Sequence, residues 1–281
     1  MRPALHRVAA AMTLLLLALG SARAEEILRL SGTGTALGTL RRLAGAFERA
    51  NPGQRLHVLP SVGSSGAIAA VAGGAIDVAI SGRHLEPSEE ALGLTELAYA
   101  RTPFLFAVGP RTGVSGITTG EIVRIYRGEL STWPSGERVR LVLRPRTDVD
   151  DAILRSLSPE MPAAVDAALA REGMLLALTN DECDDILART PGSIGPTSLT
   201  QLRSDDAPLV PLALNGVAPT VPNLASGAYP IAKTLFAVVR RSPSPAVRRF
   251  LEFLASPEAR KILEQTGNLP LSPAPPDDTR H

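Results

Sequence analysis

The chain has 281 residues, a formal net charge of +1 at pH 7, 44% hydrophobic residues and one cysteine. That balance leaves no electrostatic footprint for a nucleic-acid backbone, and a single thiol forms no internal disulfide. Roughly 257 residues follow an N-terminal leader, more than one compact core usually holds, which points to two lobes.

In chain order, Arg2 and Arg7 flank the start of an apolar stretch, Val8 to Leu19, and Ala22-Arg23-Ala24 stands before Glu25. This is the pattern of a secretory signal over residues 1–24 with an A-x-A cleavage site. The apolar stretch falls short of the ~20 residues of a spanning helix. No cysteine stands at the cleavage site to take a lipid, so the expected destination is the periplasm. Cleavage removes Arg2, Arg7 and Arg23, leaving 26 basic against 28 acidic residues. Any preference for an anion must then come from local geometry rather than from a basic surface.

The mature chain opens with strand, helix, strand, helix, strand: Ile27–Ser31, Ala36–Ala50, Arg55–Pro60, Ala67–Gly73 and Ile76–Ile80. Such alternation predicts an α/β fold with a parallel sheet, and ligands bind outside the carboxyl ends of its strands. Three turns lie at that edge: Ser31-Gly32-Thr33-Gly34-Thr35, Ser61-Val62-Gly63-Ser64-Ser65-Gly66 and Ser81-Gly82-Arg83. Glycines and hydroxyls at a helix N-terminus make an anion site, because first-turn N–H groups lack partners and the dipole is positive there. Ordinary turns with capping hydroxyls are the alternative reading. Gly32, Gly34 and Gly38 have one residue too many for a dinucleotide fingerprint, and no lysine follows as in a P-loop. In Gly63-Ser64-Ser65-Gly66 the second glycine comes one place early for a nucleophile elbow.

Pro103–Gly109 and Thr234–Arg240 read as strands that cross between lobes. The predicted organisation is a first lobe over 25–110, a second over 111–229, and a return to the first over 230–271. The second lobe has strands at Val139–Leu143 and Leu209–Leu214. Helices Ser244–Ala255 and Pro257–Gln265 close the first, with Gly267 as a stop. The segment 272–281 is rich in Pro and Asp and reads as a disordered tail.

In order, Leu30-Ser31-Gly32-Thr33-Gly34-Thr35, Gly63-Ser64-Ser65-Gly66, Gly74 to Arg83, Thr190-Pro191-Gly192-Ser193-Ile194-Gly195, Tyr229-Pro230-Ile231 and Pro257 to Leu271 cover nearly the whole mature chain. Together they resemble the phosphate-type substrate-binding proteins of ABC transporters, a branch of the periplasmic binding protein superfamily. The resemblance implies a two-lobed type II fold, each lobe a mostly parallel sheet flanked by helices, with a ligand cleft between them. It implies a monomer that carries a small anionic ligand, phosphate or a similar oxyanion, to an ABC permease in the inner membrane. It also implies ligand contacts at Thr33, Gly34, Thr35, Ala36, Ser64, Ser65, Ser81 and Arg83, with Arg144 from the second lobe, to which our reading of the turn after it adds Thr147 and Asp148. There the family pattern of an arginine followed by Ser-Gly-Thr is replaced by Arg144-Pro145-Arg146-Thr147-Asp148-Val149-Asp150-Asp151. The arginine is kept and the Ser-Gly-Thr is not.

That acidic stretch has two readings: Thr147 as an N-cap with Asp150 three residues on, or Asp148 as a ligand contact, either an acceptor for a proton-bearing oxyanion or a partner for an amine or metal on a different ligand. Thr179-Asn180-Asp181-Glu182 reads as the cap of a helix Cys183–Arg189 that also faces the cleft in a two-lobed receptor. Cys183, between Glu182 and Asp184, reads as structural, and Tyr126 and Trp133 as lobe packing. His57 reads as a core or surface residue and His84 as a candidate lining residue. No metal spacing, cofactor motif or catalytic residue is expected. A secreted hydrolase or transferase would need a nucleophile with a positioned base, and His84 has no evident acidic orienter in sequence. A sensor or degenerate receptor that keeps the fold and not the ligand is the remaining alternative.

Overall fold

The computed structural model describes residues 26–272. The leader and the tail beyond Ser272 lie outside the described residues. Strands β1 (Glu26–Gly32), β2 (Gln54–Val58) and β3 (Val78–Ser81) are linked by helices Gly34–Ala50 and Gly63–Ala72. Then follow β4 (Leu94–Val108), β5 (Gly116–Ile117), β6 (Arg140–Leu143), β7 (Leu175–Leu176), β8 (Ser193–Ser198), β9 (Val210–Pro211), β10 (Ala213–Leu214), β11 (Ala232–Arg240) and β12 (Leu269–Pro270).

The main sheet runs β2-β1-β3-β11-β4-β8-β6-β7. β1 is parallel to β2 and β3, and β6 is parallel to β7 and β8, so each end has the predicted parallel character. The two ends are joined by β4. Its first part, Leu94–Pro103, lies antiparallel to β11, and Phe104–Val108 lies antiparallel to β8. This strand begins nine residues before the predicted Pro103, because Thr95, Glu96, Arg101 and Thr102 interrupt the apolar run that signals it.

Phe104 to Tyr229 contributes one buried core, around Tyr126, Trp133, Val142 and Met161. The β1–β3 and β11 end is covered on both faces. On one, Leu37, Leu40, Leu43 and Phe47 form an apolar stripe at helical spacing against Phe250 and Phe253, whose rings meet Phe47 edge-on at 5.6 and 5.5 Å. On the other lie Ile68, Val71, Phe236 and Val238.

Helices Gly34–Ala50 and Gly63–Ala72 start two and four residues before their predicted positions. Glycine and serine are weak helix formers, so tertiary contacts rather than propensity set these first turns. The Gly82 N–H donates to Ser64 Oγ at 3.0 Å, and Thr33 N–H donates to Ile80 O at 2.9 Å. Gly32 is required by this approach, since a Cβ there would stand 2.1 Å from Ile80 O.

Candidate functional site

A cavity of about 370 Å³ lies between the two ends of the sheet. Thr33, Ser61, Gly63, Ser64 and Ser65 wall it from one side, and Arg144, Thr147, Asp148, Thr179 and Asn180 from the other. Exposed Val62 and Leu178 stand on opposite lips.

Four helices point their N-termini into this space, and they are finished in two different ways. On the first wall, Thr33 and Val62 are the N-cap residues, neither makes a side-chain cap bond, and no acidic residue occupies either first turn. Serine and threonine hydroxyls here do other work. Ser31 donates to Pro60 O and Ser61 to Gly32 O, pinning the two turns together at 2.7 and 2.8 Å. The Gly63 N–H is taken by Ser61 Oγ at 3.3 Å and the Ala36 N–H by Thr33 O, so the first wall meets the cavity through Thr33 and the first-turn residues Ser64, Ser65 and Gly66, with the positive dipole ends behind them.

On the second wall both ends are capped and carry acids. Asp148 caps helix Val149–Arg155 through the Asp150 N–H at 2.8 Å, with Asp150 and Asp151 in the first turn. This corrects the expectation that Thr147 is the cap. Thr179 accepts from Glu182 N–H at 3.1 Å and caps helix Asn180–Arg189, which starts three residues before the predicted Cys183, and of the predicted cap segment Thr179 and Asn180 line the cavity while Asp181 borders a different one.

Arg144 follows β6 and is 2% exposed. Its Nη1 donates to Ala177 O at 2.7 Å and to Thr179 O, and its Nη2 donates to Asp148 Oδ2 at 2.6 Å. Three of a guanidinium's five donors are therefore engaged within the wall. Nε points toward Asp150 at 3.8 Å without forming a hydrogen bond. Behind it, Lys233 of β11 forms an ion pair with Asp150, both essentially buried, and donates to Thr35 Oγ at 3.0 Å. Asn180 Nδ2 donates to the other Asp150 oxygen at 3.0 Å. Arg144 and Lys233 are balanced by Asp148 and Asp150, so this charged network is formally neutral.

Six of the eleven expected contact residues line the cavity: Thr33, Ser64, Ser65, Arg144, Thr147 and Asp148. The other five do not, for identifiable reasons. Thr35 is fully buried with its hydroxyl on Lys233, and Ala36 is buried with its N–H donated to Thr33 O. Ser81 is buried and closes a turn, donating to Arg83 O and accepting from Arg83 N–H. Arg83 is clamped by Glu89 through two 2.8 Å bonds and also donates to Ser65 Oγ and His84 O. That pairing holds the Glu89 carboxyl below its ordinary range and raises Arg83 further. Gly34 lines a different cavity.

Arg146 turns away to Asp166 at 2.7 Å and does not join Arg144 at the cleft. His84 has the acidic partner that the sequence does not reveal, Glu96 of β4 at 2.6 Å, but is mostly exposed, packs on the Phe236 ring, and makes no hydrogen bond to a hydroxyl. Cys183 is buried, with burial pushing its thiol well above the ordinary range, which fits a structural role. Lys233 is the residue that sequence reasoning missed. Its signal is a charged residue inside the apolar run Ala232–Val239, which demands a buried partner.

A PBP superfamily domain matches residues 19–258. The phosphate-binding protein PstS of Bacillus subtilis is 27% identical over 260 residues, which cover 90% of this chain and 83% of the relative. That of Borreliella burgdorferi is 23% identical over 252 residues, covering 87% and 90%. A substrate-binding protein from Clostridium perfringens solved with bound phosphate superposes with a TM-score of 0.75 at 17% identity, covering 88% of this chain and all of that one.

Proposed function

The chain belongs to the PBP superfamily, and we propose that it is a periplasmic receptor that captures a small oxyanion, phosphate first among them, and delivers it to an ABC permease in the inner membrane. The lobes in this reading span 25–110 with 230–271, and 111–229, closing on the ligand by a hinge at β4 and β11. The observation that carries it is the pair of helix N-termini at Thr33 and Val62, free of side-chain caps and acids, opposite Arg144 in one cavity. Two relatives named for phosphate binding, and a similar fold solved with phosphate, support the choice of ligand. Thr33, Ser64, Ser65 and Thr147 supply hydroxyls, the first-turn amides of Ser64, Ser65 and Gly66 supply N–H groups, and the remaining Arg144 Nη2 donor supplies a charged one. No bond is made or broken, so the reading is binding and not catalysis.

Calorimetry with phosphate, sulfate, molybdate and tungstate tests this directly. Phosphate at a hundred times its dissociation constant is expected to add about 2.7 kcal/mol of stability. Heat from none of the four would overturn the oxyanion reading. It would favour a sensor or degenerate receptor, a reading supported by the engagement of Arg144 with Asp148 and two backbone carbonyls of its own wall.

A further inference from the structure

We propose that a second cavity between the lobes binds a small organic cation, whose ammonium or guanidinium N–H groups donate to the Asp184 carboxylate and the Gln201 side-chain oxygen. This cavity, of about 280 Å³, has helix Gly34–Ala50 on one side, through Gly34, Leu37 and Arg41. On the other are helix Asn180–Arg189 and the segment from Gln201 to Pro208. It shares no wall residue with the oxyanion cleft.

Its acceptors are buried and unanswered. Asp184 is 9% exposed and neither carboxylate oxygen has a hydrogen-bond partner, and Gln201 is 1% exposed with its Oε1 equally without one. A buried acceptor lacking a donor carries a desolvation cost that a ligand N–H would relieve. Asp181, Asp185 and Asp205 add negative charge at the mouth, against Arg41 as the one basic residue on the wall. Acceptors and negative charge together select a ligand that donates and is positive.

The size and lining narrow the class. A cavity this large exceeds the roughly 30 Å³ share of one water and approaches the lower end of small-ligand pockets. Among the described residues no group of three ligating side chains has the arrangement for a metal ion. Leu37, Ala188 and Pro208 offer apolar wall beside the acceptors. A short aliphatic chain ending in an ammonium or guanidinium group fits both features.

Binding should also respond to pH. Burial pushes the Asp184 carboxyl up to about 7, with Asp205 on the facing segment, Asp181 on its own helix and Asp150 adding to the rise. The Thr197 hydroxyl, which approaches without making a hydrogen bond, works the other way. Arg41 and Asp185 also line the cavity, Cys183 is the titratable neighbour on the same helix, and Arg42 acts with Arg41 on Asp205. A cation favours the ionised carboxylate, so its binding displaces a proton and strengthens as pH rises through that range.

The test uses the full mature protein with diaminobutane and butylguanidinium as probes, and tetramethylammonium as a cation without N–H groups. Titration calorimetry at about pH 8 and about pH 6 is expected to show saturable binding of the first two, tighter at the higher pH, and none of the third. Asp184→Asn should weaken binding by on the order of tenfold to a hundredfold without lowering the melting temperature, since it removes a buried charge at constant shape. Asp185→Asn, at an exposed position that cannot disturb the core, should give a smaller loss. No binding by either N–H probe, equal binding by tetramethylammonium, or unchanged affinity in Asp184→Asn would each overturn the proposal. It does not depend on what the oxyanion cleft holds.

Discussion

The two walls of the cleft use the same device, a pair of helix N-termini, to opposite effect. At Thr33 and Val62 the N-cap side chains make no cap bond and the first turns carry no acid, and only Ser61 Oγ, which accepts the Gly63 N–H, touches a first-turn amide from a side chain. At Asp148 and Thr179 the ends are capped, and Asp150, Asp151, Asp181 and Glu182 compensate the dipoles from within. The first wall presents neutral hydroxyls and amides to the cavity. The second holds its charges in a closed network of Arg144, Asp148, Asp150, Asn180 and Lys233. An ionic wall that satisfies itself is stiff and selective, because a ligand must exchange one set of hydrogen bonds for another rather than fill a vacant charge.

The largest expected effect comes from breaking the second wall at its deepest point. Lys233→Met leaves buried Asp150 with only the more distant Arg144 Nε, at 3.8 Å, as a cation, and removal of one member of a buried pair typically costs about 3–5 kcal/mol. Chemical denaturation should show a loss of that order. The double variant Lys233→Met, Asp150→Leu should regain much of it. If Lys233→Met alone unfolds normally, the ion pair is not what holds this wall.

The next effect should leave the fold untouched. Thr33→Val keeps shape in an extended backbone position and removes a hydroxyl that makes no cap bond. Stability should change by less than about 0.5 kcal/mol. Affinity for phosphate should fall by about 1.5–3 kcal/mol, the usual loss for a hydrogen bond to a charged partner. Equal affinity in a calorimetric titration would remove Thr33 from the ligand contacts.

Ser64→Ala separates the two roles that a hydroxyl can have on the first wall. Ser64 lines the cavity, yet its oxygen already accepts from the buried Gly82 N–H. Losing it orphans that amide, so a stability cost of about 1–3 kcal/mol is expected in addition to weaker binding. A variant that binds more weakly at full stability would show that water takes over the amide.

How far these walls were legible in the sequence follows from the range of the forces that build them. The β1–β3 alternation and the glycine-hydroxyl turns are local patterns, and they locate the sheet edge and three of the eight expected residues of the first wall, Thr33, Ser64 and Ser65. Helix starts at Gly34 and Gly63 were displaced because Ser64 and Thr33 are held by Gly82 and Ile80, residues far along the chain. The second wall is tertiary throughout: Lys233 and Asp150 are 83 positions apart in the sequence and meet only in the fold. Arg144 was found from its motif, but its carbonyl partners Ala177 and Thr179 carry no sequence signal. Residues 1–24, read as a leader, lie outside the described residues.

The smallest expected effect concerns Arg83, an arginine after β3 that the sequence reading puts at the ligand and the fold places on Glu89. The Arg83 guanidinium lowers the folded Glu89 pKa below its ordinary value. A lowered carboxylate contributes stability that is present above the ordinary value and is lost as pH falls through the lowered one. The pair is partly solvated, so the contribution should be under about 1 kcal/mol. Glu89→Gln should therefore lower stability slightly at neutral pH and match the wild type at acid pH, where Glu89 is protonated in both states. Because Arg83 does not line the cavity, phosphate affinity should stay the same. A tighter phosphate complex in Glu89→Gln would mean that the released guanidinium reaches the ligand, and that the first wall, like the second, holds a charge in reserve.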